Sequence, residues 1–135
     1  MITRLGSVPV FVSDPDRALA FYRDRLGLEV VLDYQFGPDF RWIAVARSKG
    51  ETEIVLFRPV PSIAGSRAEE LRQRIGTWTG IVFFTEDIQS TYRELVGRGV
   101  EFAAEPKLQP WGGWETQFTD PDGNGFHLAQ RPASM

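Results

Sequence analysis

Apolar and polar positions alternate along Ser7–Ser13 (SVPVFVS), which predicts a strand. Pro9 has no N–H to give, so its donor position is an edge or an unpaired one. A helix start follows, with Ser13 or Asp14 as N-cap and Pro15 at the first helical position. Leu19, Tyr22 and Leu26 recur at i, i+3 and i+7 as its buried stripe, and Gly27 ends it. Strands are predicted at about Leu28–Gln35, Phe40–Ala46 and Glu53–Arg58, separated by Gly37-Pro38-Asp39 and Lys49-Gly50. The stretch from Pro59 to Gly76 breaks this pattern. Its SRAEELRQRIG segment reads as a short charged helix in a solvated connector.

The order then repeats. Thr79–Thr85 predicts a strand, and Glu86–Val96 a helix with Ile88, Tyr92 and Leu95 on one face. Val100–Ala104, about Trp114–Thr119 and Phe126–Gln130 predict strands, the last two joined by the turn Asp120-Pro121-Asp122-Gly123-Asn124-Gly125. Gly27-Leu28-Glu29-Val30 aligns with Gly99-Val100-Glu101-Phe102 at an offset of 72 residues, and Arg58-Pro59 with Arg131-Pro132 at 73. The expectation is an α+β fold in a single domain, residues 1–135, built from two tandem β-α-β-β-β modules. Module 1 spans about 1–59, the connector about 60–77 and module 2 about 78–135.

Composition narrows the chemistry. Hydrophobic residues are 42% and charged residues 24% of the chain, an ordinary globular balance. The net charge of −3, without a basic stripe, argues against a nucleic-acid partner. No apolar run is long enough to span a bilayer, and no signal-peptide core precedes the first strand, so a cytoplasmic chain without a membrane partner is expected. Zero cysteines exclude thiolate nucleophiles and zinc–sulfur sites. A single histidine, His127, excludes a two-histidine iron centre within one chain. Ten Phe, four Trp and three Tyr are many for this length and point to ring surface used for stacking.

The segments VFVSDPDRALAFYRDRLGLEV, EIVLFRP, GIVFFTEDIQSTYRELVGRGVEF, PWGGW and FTDPDGNGFHLAQ together resemble the vicinal oxygen chelate superfamily, which includes glyoxalase I, the bleomycin resistance protein and extradiol dioxygenases. The resemblance covers nearly the whole chain. It implies curved sheets that enclose a cavity, completed by pairing into a homodimer. It also implies four metal-ligand positions, which fall at Ser7, Val55, Gly80 and His127. Those residue types do not make a metal site, and Glu53 beside Val55 adds only one donor, so neither a metal nor another cofactor is expected.

Strand alternation extends these positions. With His127 inward, Gly125 and Ala129 share its face while Phe126 and Leu128 face the core. Ser7 brings Pro9 and Phe11; Val55 brings Phe57; Gly80 brings Val82 and Phe84. Trp42, Trp111 and Trp114 lie where they could bound the mouth, with PWGGW as a candidate lid. The candidate ligand-binding set is therefore His127, Ser7, Phe11, Trp42, Glu53, Val55, Phe57, Phe84, Trp111 and Trp114: apolar walls with a few orienting polar groups. The leading reading is a metal-free protein of the bleomycin-resistance kind, sequestering a planar aromatic, drug-like natural product without catalytic residues. The alternative is a metal-independent lyase or isomerase with His127 as general base, assisted by Ser7 or Glu53. A glyoxalase- or dioxygenase-type enzyme ranks third.

Overall fold

The computed structural model describes residues 1–135, which form two compact units, Met1–Gly76 and Thr77–Met135. In the first, β1 (Ser7–Phe11), β2 (Glu29–Phe36), β3 (Phe40–Ala46) and β4 (Glu53–Phe57) form one sheet in the order β1-β4-β3-β2. β1 runs parallel to β4, and the other neighbours are antiparallel. The second unit contains β5 (Trp78–Phe84), β6 (Glu101–Phe102), β7 (Lys107–Leu108), β8 (Trp114–Thr119) and β9 (Gly125–Gln130). Its order is β5-β9-β8-β6, with β7 on β8 and a parallel β5–β9 pair. The same topology occurs twice, as the internal repeat predicts, and the class is α+β.

Helix α1 (Pro15–Leu19) begins where the sequence places it. The Asp14 side chain caps it by accepting from the Asp16 and Arg17 amides. Its continuation, Ala20–Arg25, widens into a π-turn in which the Leu26 N–H reaches the Phe21 carbonyl. The wider turn buries Phe21 together with Tyr22, where regular spacing predicts Leu19, Tyr22 and Leu26. These rings lie in the same core as Val10, Val12, Ile43, Val45 and Leu56. Arg41, on that face of β3, reaches Asp16 of α1 and Asp33 of β2.

The segment between Pro59 and Gly76 is more ordered than a solvated connector. It forms α2 (Pro61–Ala64), a 3₁₀ turn at Gly65–Arg67 and α3 (Ala68–Arg72), with Ala68 and Leu71 buried.

In the second unit α4 (Ile88–Gly97) is capped by Asp87, which accepts from the Ser90 amide. The Ile88 amide, left free at the helix start, donates to Oε1 of Gln130 on β9. Phe83, Phe118 and Phe126 stack beneath the helix with Phe102 and Tyr92. The turn into β9 is held by buried Asp120, whose carboxylate accepts from the amides of Asp122 and Asn124 and from the Asn124 side chain. That turn fixes the phase in which β9 presents its side chains.

Candidate ligand-binding faces

Each sheet turns one face to a helix, and the alternate residues line the other face. In the first unit the register pairs Ser7 with Glu53, Pro9 with Val55 and Phe11 with Phe57 across β1 and β4. All six share the face away from α1, because Ile54 and Leu56 between them point into the helix-side core. Phe57 is the centre of this face: its ring lies 5.8 Å from Phe11, 5.2 Å from Phe40 and 6.4 Å from Trp42. Edge and tilted geometries suit the ring quadrupoles. The face continues onto β2 through Tyr34 and Phe36, which pair with Trp42 and Phe40 and are more than half exposed. Of the predicted residues, Phe11, Trp42 and Phe57 come together as one aromatic cluster. Val55 is buried beside them, and Ser7 and Glu53 form the polar end of the same strand pair.

The second unit carries the imidazole. Val82 pairs with His127 across β5 and β9, as Pro9 pairs with Val55, so Val55 and His127 hold equivalent places in the two units. The open face carries Trp78, Val82 and Phe84 from β5, and Gly125, His127 and Ala129 from β9. The register slips between Trp78 and Val82, and Gly80 within that bulge has φ +76°, a conformation that a side chain at this position would resist. Trp78 meets His127 edge-on at 4.5 Å. Its indole lies over Gly125, where an added Cβ would come within 2.7 Å of the ring. Phe84 is capped by the Arg131 guanidinium, 4.2 Å above its centroid.

The titratable neighbour of His127 on this face is Glu115. It lies on β8, one diagonal step from His127, and its Oε1 stands against the imidazole Nδ1. That nitrogen is shielded from solvent and has no hydrogen-bond partner, whereas the His127 side chain as a whole is 25% exposed and Glu115 only 19%. The open part of the ring therefore lies away from Nδ1. It lines a cleft of about 390 Å³ with Lys107, Glu115 and Gln117. A second cleft, of about 330 Å³, runs alongside between Trp78, Gly125, Gln117 and Phe102. Burial pulls the imidazole below its ordinary value of 6.5.

Two predicted site residues stand elsewhere. Trp114 shares the phase of Thr116 and Phe118, so it belongs to the helix side of β8 and not to the His127 face. Trp111 is exposed in the β7–β8 turn, where its ring folds back over Gly113. Sequence reasoning missed Glu115 and Trp78. Counting back through the Asp120–Gly125 hairpin from His127 puts Glu115 on the same face, and that count was the available signal for it. Trp78 directly precedes the predicted strand and needed only one more residue of pairing.

No group of three His, Cys, Asp or Glu side chains converges to hold a metal. The residue types at the positions the family resemblance assigns to ligands, Ser7, Val55, Gly80 and His127, do not fit one either.

A family model for the Glyoxalase/Bleomycin resistance protein/Dioxygenase superfamily matches residues 4–128. The chain belongs to that superfamily. Within the superfamily, it is similar to YetH of Bacillus subtilis (strain 168), 36% identical over 130 residues, covering 96% of this chain and 100% of that protein. A superfamily member from Sphaerobacter thermophilus DSM 20745 superposes with a TM-score of 0.82 at 37% identity, over 96% of this chain and 98% of that one. TnmS3, an antibiotic binding protein from Streptomyces sp. CB03234, superposes with a TM-score of 0.76 at 30% identity, over 97% and 98% of the two chains.

Proposed function

We propose that this protein binds and sequesters a planar aromatic, drug-like natural product, protecting by stoichiometric capture. The observation that carries this reading is the pair of open sheet faces. One holds the Phe11–Phe57–Trp42 cluster, and the other sets Trp78, Val82 and Phe84 around a single imidazole. Apolar walls with few polar groups favour stacking and leave little machinery for chemistry. The similarity to TnmS3 supports the same reading. The binding species is a homodimer in the cytoplasm. No helix is long and apolar enough to cross a membrane.

Quenching of intrinsic tryptophan fluorescence by a panel of aromatic antibiotics tests the reading. Saturable quenching at a fixed ratio of ligand to chain supports it, and absence of quenching across the panel opposes it. Sedimentation at twice the 15.3 kDa chain mass supports the dimer, and a single-chain mass at tens of micromolar opposes it.

One observation favours a second reading. A histidine backed by a carboxylate is the arrangement of a general base, and the His127–Glu115 pair provides it for a metal-independent lyase or isomerase. Turnover of the ligand, read by mass spectrometry, separates that enzyme from a sequestering protein.

A further inference from the structure

We infer that Arg131 anchors a carboxylate carried by the aromatic ligand of the His127 face. This rests on the binding reading above and assigns the ligand class its charge. Arg131 follows β9 at the phase of His127 and Ala129, and its guanidinium stands 4.2 Å from the centroid of Phe84 on β5. A cation over a ring face uses its charge and leaves its N–H donors unspent. Arginines elsewhere in the chain spend theirs on acids. Arg98 holds the Glu94 carboxylate at 2.8 Å, and Arg41 holds Asp16 at 2.6 Å and Asp33 at 2.7 Å. Arg131 holds no acid, and its partner is the Phe84 ring.

The surroundings suit an anion brought from outside the chain. Arg131 and Phe84 line a cleft of about 560 Å³ with Thr85 and Gln130. Oε1 of Gln130 accepts from the Ile88 amide, so the group this side chain has left to offer is its NH2, a second donor at the cleft. The Thr85 hydroxyl is engaged with that of Thr91. Glu86 also borders the cleft, outside ion-pair distance of Arg131. Between Arg131 and His127 the two strands present Val82, Phe84 and Ala129, none of them an acid. A flat ring system laid along this apolar strip brings one end to Arg131, whose planar fork matches a carboxylate in two parallel hydrogen bonds. An exposed ion pair is ordinarily worth little, because a long side chain must be held still to make it. Stacking on Phe84 holds this guanidinium in advance and lowers that cost.

Naphthalene-2-carboxylate and naphthalene-2-carboxamide, alike in shape and different in charge, test the inference by calorimetric titration near neutral pH and at low salt. Binding of the carboxylate about tenfold tighter is expected, with the preference shrinking as salt rises. Arg131→Gln should abolish the preference without weakening the carboxamide. Arg131→Lys keeps the charge and loses the fork, so it should keep only part of the preference. Arg131 is exposed, so both variants are expected to fold, and the retained carboxamide binding reports that they have. Equal affinity of the two probes for the unaltered protein, or a preference that survives Arg131→Gln, overturns the inference and leaves sequestration standing. Failure of both probes to bind counts against the aromatic-ligand reading and against this inference with it.

Discussion

The indole of Trp78 crosses the imidazole of His127 edge-on, and it can do so because Gly125 leaves bare backbone beneath it. The missing side chain is thus part of the site: β9 delivers an imidazole at 127 and a seat for its aromatic neighbour at 125. Gly125→Ala should displace Trp78. A stability loss of about 1 kcal/mol is expected, near the lower end for overpacking because the half-exposed indole can swing outward. Tryptophan emission should shift to the red, and an unchanged spectrum would count against this contact.

His127 and Glu115 should be coupled. Either single change to Ala strands a largely shielded polar partner and should cost about 1–3 kcal/mol. The double variant should lose clearly less than the sum. Chemical denaturation of the four proteins supplies the cycle, and additive losses would show that the two side chains do not interact.

Much of this fold was legible in the sequence, for reasons that particular residues make clear. β3 and β8 have the predicted bounds because alternation and turn residues agree there. Asp14 and Pro15 gave the helix start, since capping is a local interaction. The π-turn at Ala20–Arg25 was not legible, because it arises when two neighbouring rings, Phe21 and Tyr22, must both enter the core. Phe11 and Phe57 followed from strand phase, and Trp42, expected only as a residue bounding the mouth, joins them through its ring contact with Phe57. Glu115 did not, because its partnership with His127 depends on the register of a hairpin and not on any spacing within one strand. Trp114 was misplaced for the converse reason: an aromatic near a mouth is a plausible wall until its phase assigns it to the other face.

The imidazole should titrate below 6.5, because burial disfavours its charged form. The sign for stability follows: the unfolded chain takes up the proton first as pH falls. The contribution of neutral His127 is present above about pH 6.5 and is lost as pH drops toward the folded value. Proton NMR of the single histidine checks the direction.

No donor set on the chain converges on a metal, so EDTA should leave the melting temperature unchanged and dialysed protein should carry well under one transition metal per chain. Elemental analysis near one zinc, nickel, iron or manganese per chain would oppose this.

The most direct test of sequestration is recovery of the bound molecule. An aromatic antibiotic that quenches tryptophan fluorescence is incubated with the protein, the complex is isolated, and the ligand is released by denaturation and weighed by mass spectrometry. Stoichiometric recovery of the unaltered compound, with no product accumulating over hours, is the result expected of a protein that protects by binding. Recovery of a chemically changed ligand in amounts exceeding the protein would contradict it and make His127 and Glu115 a catalytic pair.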